Sequence, residues 1–105
     1  MSGPKETEGK LDWSVFPFNE AQEVCKVFVE GARKYGAPFT YRQGIDTNQL
    51  FAAAIRHLVQ MQIYGMDACD NESGCFHAAH IAANALMILS QIHRRSYETD
   101  AFHHN

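Results

Sequence analysis

The sequence predicts an all-α fold: three main helices forming a helical bundle that oligomerisation completes. Three observations carry this expectation. Apolar residues recur at helical spacing in three segments, no segment sustains the period-two alternation of a strand, and capping or breaking residues bound each segment. The 105 residues make a single domain, 1–105. A chain of this size buries only about two thirds of the surface its unfolded form exposes. Apolar surface on more than one side of the helices therefore points to association, with a dimer completing a larger bundle.

The elements follow in order. Residues 1–9 are polar and expected to be flexible. Lys10 to Phe18 is an aromatic segment with Trp13, Phe16 and Phe18 around Pro17, read as a hydrophobic strap over the core or as a pocket lining. The first helix is predicted from Glu20 to Tyr35, with Asn19 as N-cap, Gln22 reaching back to it, and Gly36 and Pro38 as the stop. Val24, Val27, Phe28 and Val29 give it apolar surface. A loop from Gly36 to Ile45 carries Pro38, Phe39, Tyr41 and Gly44, and its length in so small a domain marks it as functional. The second helix is predicted from Thr47 to Tyr64, capped by Asp46 and ended by Gly65, with Leu50, Ala54, Leu58 and Met61 at helical spacing. The third runs from Gly74 to His93 or beyond, with Ala78, Ile81, Ala82, Ala85, Ile88, Leu89 and Ile92 as its apolar surface.

Composition narrows the function. A hydrophobic fraction of 46% and a charged fraction of 20% are ordinary for a globular domain. A net charge of -3 argues against nonspecific nucleic-acid binding, for which the basic pairs Arg33–Lys34 and Arg94–Arg95 are too few. An anionic ligand then needs a local basic pocket or a metal. Three cysteines (Cys25, Cys69 and Cys75), an odd count with no CxxC pair, and no signal-like leader fit a reducing, cytoplasmic location. The longest apolar run, Ile81 to Leu89, contains Asn84 and is too short to cross a bilayer.

Polar residues on helical faces supply the site candidates. At 100° per residue, Glu20, Glu23, Val27, Glu30 and Lys34 share a sector of roughly 80°. Such a carboxylate stripe is either a wet surface or a site for a hard cation, Mg²⁺ or Mn²⁺. His77, His80 and Asn84 lie at i, i+3 and i+7 of an otherwise Ala-rich and aliphatic helix. Buried there, each must find a partner. Asp67, Asp70 and Glu72 precede that helix, where capping and metal binding compete as explanations. On the second helix Arg56 is suited to clamp phosphate or to form a surface ion pair, while His57 shares the inward side with Leu50, Ala54 and Met61.

These pieces together resemble a known family. KLDWSVFP at Lys10–Pro17, EVCKVFVEGARKYG at Glu23–Gly36, LFAAAIRHL at Leu50–Leu58 and ESGCFHAAHIAANAL at Glu72–Leu86 span about three quarters of the chain. In that order they resemble the small phage-type dATP/dGTP diphosphohydrolases, relatives of the MazG-like all-α nucleotide pyrophosphohydrolases. The resemblance implies hydrolysis of dGTP or dATP between the α- and β-phosphates, giving the monophosphate and pyrophosphate. It also implies dependence on Mg²⁺ or Mn²⁺, assembly as a homodimer or homotetramer, and work in the cytoplasm of an infected cell on a nucleotide pool. MazG-like enzymes carry an ExxE pair on one helix and an ExxD pair on a later one. Here Glu20 and Glu23 keep the first spacing, but His77 and His80 stand at the second, and imidazole suits Mn²⁺, Co²⁺ or Zn²⁺ better than Mg²⁺.

The expected roles are then as follows. Glu20, Glu23, Glu30 and Glu72 surround metal, with Glu23, His77 and His80 in the catalytic group. Lys34 and Arg56, joined by Arg33, bind phosphate, and His57 lies with them. Trp13, Phe39 or Tyr41 stacks on the base, and Asn84 hydrogen-bonds it. Two other readings compete. A triphosphohydrolase of the HD type would release triphosphate, but no His-Asp dipeptide occurs. A non-enzymatic helical dimerisation module would show no turnover at all.

Overall fold

The computed structural model describes the backbone of residues 9–104 and the side chains of residues 9–95; the flexibility expected of residues 1–8 lies outside them. The fold is all-α. The helices are α1 (Phe18–Tyr35), α2 (Thr47–Tyr64) and α3 (His77–His104), with 3₁₀ turns at Trp13–Val15 and Thr40–Gln43. Among the described residues there is no strand, only an isolated antiparallel bridge between Cys69 and Phe76.

Two predicted starts move. α1 begins at Phe18, and Pro17 rather than Asn19 occupies the N-cap, with no side-chain cap bond. The first turn of a helix leaves backbone N–H groups unpaired, so proline's fixed φ favours that end and its missing donor is not felt. The Ala21 N–H donates to the Pro17 carbonyl at 2.9 Å, so the helix propagates from there. α3 starts at His77, not Gly74, because residues 68–76 close on themselves first. The Asp70 N–H donates to the Cys75 carbonyl at 2.8 Å, the Gly74 N–H to the Asp70 carbonyl at 2.8 Å, and the His77 N–H to the Ala68 carbonyl at 3.0 Å. Gly74 has φ +74°, a left-handed conformation that a helix cannot continue through and that glycine adopts readily. The other boundaries are as predicted. Asp46 caps α2 by accepting from the Asn48 N–H at 3.0 Å, Gly36 ends α1 in the left-handed region, and Gly65 ends α2.

α3 packs against both other helices. Lys34 at the end of α1 meets Glu72 just before α3, so α1 runs antiparallel to α3. Thr47 at the start of α2 bonds Gln91 late in α3, and His57 meets His77, so α2 is antiparallel to α3 as well. α1 and α2 are thus parallel to each other. The connection between them returns along the molecule, held by Gln91 on the Ile45 carbonyl, Arg94 on the Arg42 carbonyl, and Tyr41 against Phe28 with ring centroids 5.4 Å apart.

The core is small. Val27 of α1 packs against Cys75, Ala79 and Ala83, with Val24, Phe28 and Met87 partly buried around them. The inward face of α3 is therefore its alanines 79 and 83 rather than the aliphatic set the periodicity picked out. Leu58, at helical spacing with Leu50 and Ala54, is 52% exposed, and Leu89 and Ile92 are comparably open. The aromatic segment does not strap the core either: Trp13, Phe16 and Phe18 are exposed and pack edge-on against one another. Among the described residues, no helix is long and apolar enough to cross a membrane.

Candidate functional site

Three of the chain's most buried polar side chains are His57, His77 and Asn84, at 6%, 6% and 7% exposure. His57, on the inward side of α2, and His77, the first residue of α3, meet with their Nδ1 atoms 2.7 Å apart. One neutral ring donating to the other satisfies both. The His57 ring also stacks on that of His80, with centroids 4.4 Å apart and planes 11° apart. Burial, then the neighbouring His80 and His77 rings, push the His57 imidazole down from 6.5 to about 4, so it is neutral at physiological pH.

Asp70 faces this group from the closed loop before α3. Its carboxylate accepts from the Ser73 N–H at 2.9 Å, a turn in which an aspartate bonds backbone a few residues on. Burial alone would raise its pKa, but the bonds from Ser73 and then the charge on His80 outweigh it and hold the carboxyl below its usual value. His80 Nε2 lies 2.6 Å from the Ser73 hydroxyl and 4.0 Å from Asp70 Oδ2. Burial lowers the proton affinity of His80 despite the opposing pull of Asp70. Donor atoms of His57, Asp70 and His77 all lie within 4.8 Å of one another, and these are the described residues able to converge on a single ion.

Three cavities meet beside the cluster, and Arg56 lines all of them. The first, about 570 Å³, is mostly apolar and is walled by α1, α2 and the 37–45 loop, with Phe28, Phe39, Tyr41, Gln49 and Asn84 among its walls. The second, about 360 Å³, is lined by more charged residues, among them Glu30, Lys34 and Glu72, with Ser73 and His80 beside them. The third, about 470 Å³, reaches His57, Asp70 and His77 from the side of Gln60 and Tyr64. Gly31 lines the first two, and a Cβ there would meet nothing within 4 Å. Arg56 is exposed and has no carboxylate partner among the described residues. Phe39 sits in the left-handed region at φ 63, uncommon for a bulky residue, with the Arg42 guanidinium 4.1 Å from its ring centroid.

The residues singled out from sequence divide between this cleft and the outer surface. Arg56, His57, His77, His80, Asn84, Lys34, Glu30 and Glu72 come together around it. Glu20, Glu23 and Trp13 line none of these three cavities. Glu23 pairs with Lys26 at 3.0 Å and Glu30 with Arg33 at 2.7 Å, each one turn away on α1. Lys34 bonds Glu72 at 2.6 Å, and that hydrogen bond raises the lysine's proton affinity. Sequence alone does not single out Ser73, and it leaves Asp70 between capping and metal binding. An Asp–x–x–Ser–Gly run before a helix is the turn signal that distinguishes Asp70 from Asp67 and Glu72.

Comparison with known proteins adds three findings. Residues 2–101 match the family described as dATP/dGTP diphosphohydrolase, N-terminal. A protein of Salmonella phage PMBT28, described as a dATP/dGTP diphosphohydrolase, is 30% identical over 100 residues, which cover 95% of this chain and 33% of that protein. The chain thus spans about a third of the length of that curated relative. No solved structure matches it.

Proposed function

The chain belongs to the dATP/dGTP diphosphohydrolase N-terminal family, and from that premise we propose that it binds dGTP or dATP and hydrolyses it, with divalent metal ions, to the monophosphate and pyrophosphate. One observation carries this reading: Arg56, without a carboxylate partner among the described residues, stands where an aromatic-walled apolar cavity meets a charged one. Ligand sites are concave and mostly apolar with a few convergent polar groups, and that is the chemistry a nucleotide asks for.

The base occupies the apolar cavity against Phe39 and Tyr41, and the buried Asn84 amide offers a donor and an acceptor to its edge. The phosphates pass Arg56 into the charged cavity, where Lys34 exchanges Glu72 for a phosphate oxygen. Water adds through its oxygen to the α-phosphorus, the bond from that phosphorus to the bridging oxygen breaks, and pyrophosphate leaves. His80 takes the water's proton, because its lowered proton affinity keeps the ring neutral and the Ser73 hydroxyl orients it. A bound divalent ion, Mg²⁺ or Mn²⁺, supplies neutralisation of the phosphate charge. Of the carboxylates expected around metal, Glu30 and Glu72 line this cavity. The exposed apolar residues of α2 and α3 support assembly as a homodimer or homotetramer, and a phage-encoded relative supports action in a host cytoplasm.

The test is incubation of the chain with dGTP and dATP, quantifying pyrophosphate, phosphate and triphosphate separately. Pyrophosphate equimolar with the monophosphate is expected. Released triphosphate would sink the proposal in favour of the HD-type reaction. The chain's span of about a third of its relative favours a second reading, in which it binds the nucleotide for a longer enzyme. Tight binding of dGTP without turnover is the result that would establish it.

A further inference from the structure

We propose that His57, His77 and Asp70 hold one first-row divalent ion of the Zn²⁺, Co²⁺ or Mn²⁺ class, with a coordination position left open toward the Arg56 cleft. This deepens the hydrolase reading by naming the ion and where it sits, yet it stands or falls on metal binding alone.

Four observations combine. The two Nδ1 atoms lie 2.7 Å apart inside the protein, and the donors of all three residues fall within 4.8 Å of one another. Two imidazoles aimed at each other across so short a gap share either a proton or a cation. Second, both rings are buried, at 6% exposure each, so each needs a fixed partner for the nitrogen it turns inward. Third, the donor set is two nitrogens and one carboxylate. Imidazole nitrogen suits Zn²⁺ and Co²⁺, the Asp70 carboxylate makes room for Mn²⁺ as well, and Mg²⁺ demands oxygen. Three protein ligands with a vacant fourth position are the pattern of catalytic rather than structural zinc.

Fourth, the supporting shell is in place. Ser73 holds Asp70 through its backbone N–H and occupies His80 Nε2 through its hydroxyl, so His80 stands beside the site rather than in it. Metal–nitrogen bonds of about 2.0–2.1 Å in a tetrahedron separate donor atoms by roughly 3.4 Å. The His57–His77 gap must therefore open slightly on loading, a motion that rotation of the two rings supplies. The open position faces Arg56, which lines the cavity that reaches all three ligands. Guanidinium charge there favours an anionic fourth ligand, a hydroxide or a phosphate oxygen.

The chain stripped with EDTA is titrated with Co²⁺, followed by its visible absorption, and with Zn²⁺, followed by equilibrium dialysis. One ion per chain is expected. His57→Ala and Asp70→Asn should each weaken binding by more than about 100-fold, given that removal of a mere supporting residue already costs 10–100-fold. Asp70→Asn keeps the size and the Ser73 contact, and so remains informative if His57→Ala fails to fold by circular dichroism. No bound ion in the parent chain, or an ion lost with Glu23→Gln but kept in Asp70→Asn, overturns the proposal. Metal binding without dGTP turnover leaves this site standing and removes the hydrolase reading. Turnover with Mg²⁺ in a chain that binds no Zn²⁺ or Co²⁺ does the reverse.

Discussion

Replacing Arg56 by Met removes a charge from the meeting point of the three cavities while keeping an unbranched stem of similar reach. If Arg56 grips phosphate, the loss is that of a hydrogen bond to a charged group, about 1.5–3 kcal/mol. That is roughly 10- to 150-fold in affinity at about 1.4 kcal/mol per decade. Arg56 is exposed in the free chain, so water competes for it and the lower half of the range, roughly 10- to 30-fold, is the expected value. Calorimetric titration with a nonhydrolysable dGTP analogue measures it. The same titration with deoxyguanosine isolates the base, which the proposed pose puts on the other side of Arg56 and which should bind the variant within about twofold of the parent. Equal weakening of nucleoside and triphosphate, or no weakening of either, would refute the assignment of phosphate to the charged side of the cleft.

Three further outcomes are expected. Val27→Ala removes two methyl groups from the contact with Ala79 and Ala83 and should cost about 1–2.5 kcal/mol in urea unfolding, while a value near zero would mean α1 is not anchored there. Gly74→Ala meets no steric obstacle but places a Cβ at φ +74°, a cost of about 1 kcal/mol, and metal affinity should fall with it because Asp70 and His77 flank that turn. In EDTA, stability should fall as pH drops from 6.5 to about 4. The unfolded chain then takes up a proton at His57 that the folded chain refuses, worth up to roughly 3 kcal/mol, with His80 adding to the same slope. His57→Gln should flatten that slope; an unchanged one would show that the burial of His57 among His77, His80, Asp70 and Arg56 does not govern it.

The helices were legible because each is written twice, once in apolar spacing and once in its ends. Asp46 before α2 and Gly36 after α1 act through local backbone chemistry, which neighbours in sequence determine. The start of α3 was not legible, because Gly74 reads equally as a weak helical residue and as the left-handed corner of a closed loop. What decides is the closure of that loop through the pairing of Cys69 with Phe76, which apolar periodicity does not register. The same limit applies to the site. Periodicity put His77, His80 and Asn84 on one face and turned His57 inward, but which histidines meet depends on how residues 65–76 bring α2 and α3 together. The acids before α3 were inseparable by spacing. Geometry separates two of them: Asp70 is tied inward by Ser73, whereas Glu72 reaches out to Lys34. Leu58 keeps the helical spacing of Leu50 yet stays exposed, because so small a core gives an aliphatic residue little to face.

The His57–His77 stretch, with Asp70 inside it, is one uninterrupted piece of chain, whereas the apolar cavity needs α1 and the 37–45 loop to close it. In the proposed reading, the ion-holding end and the base-selecting end of the cleft thus draw on different parts of the polypeptide. Changes in the length or sequence of the 37–45 loop would retune which nucleobase is admitted while leaving the ion-holding segment untouched, and a graft of one relative's loop onto another should carry its base preference along.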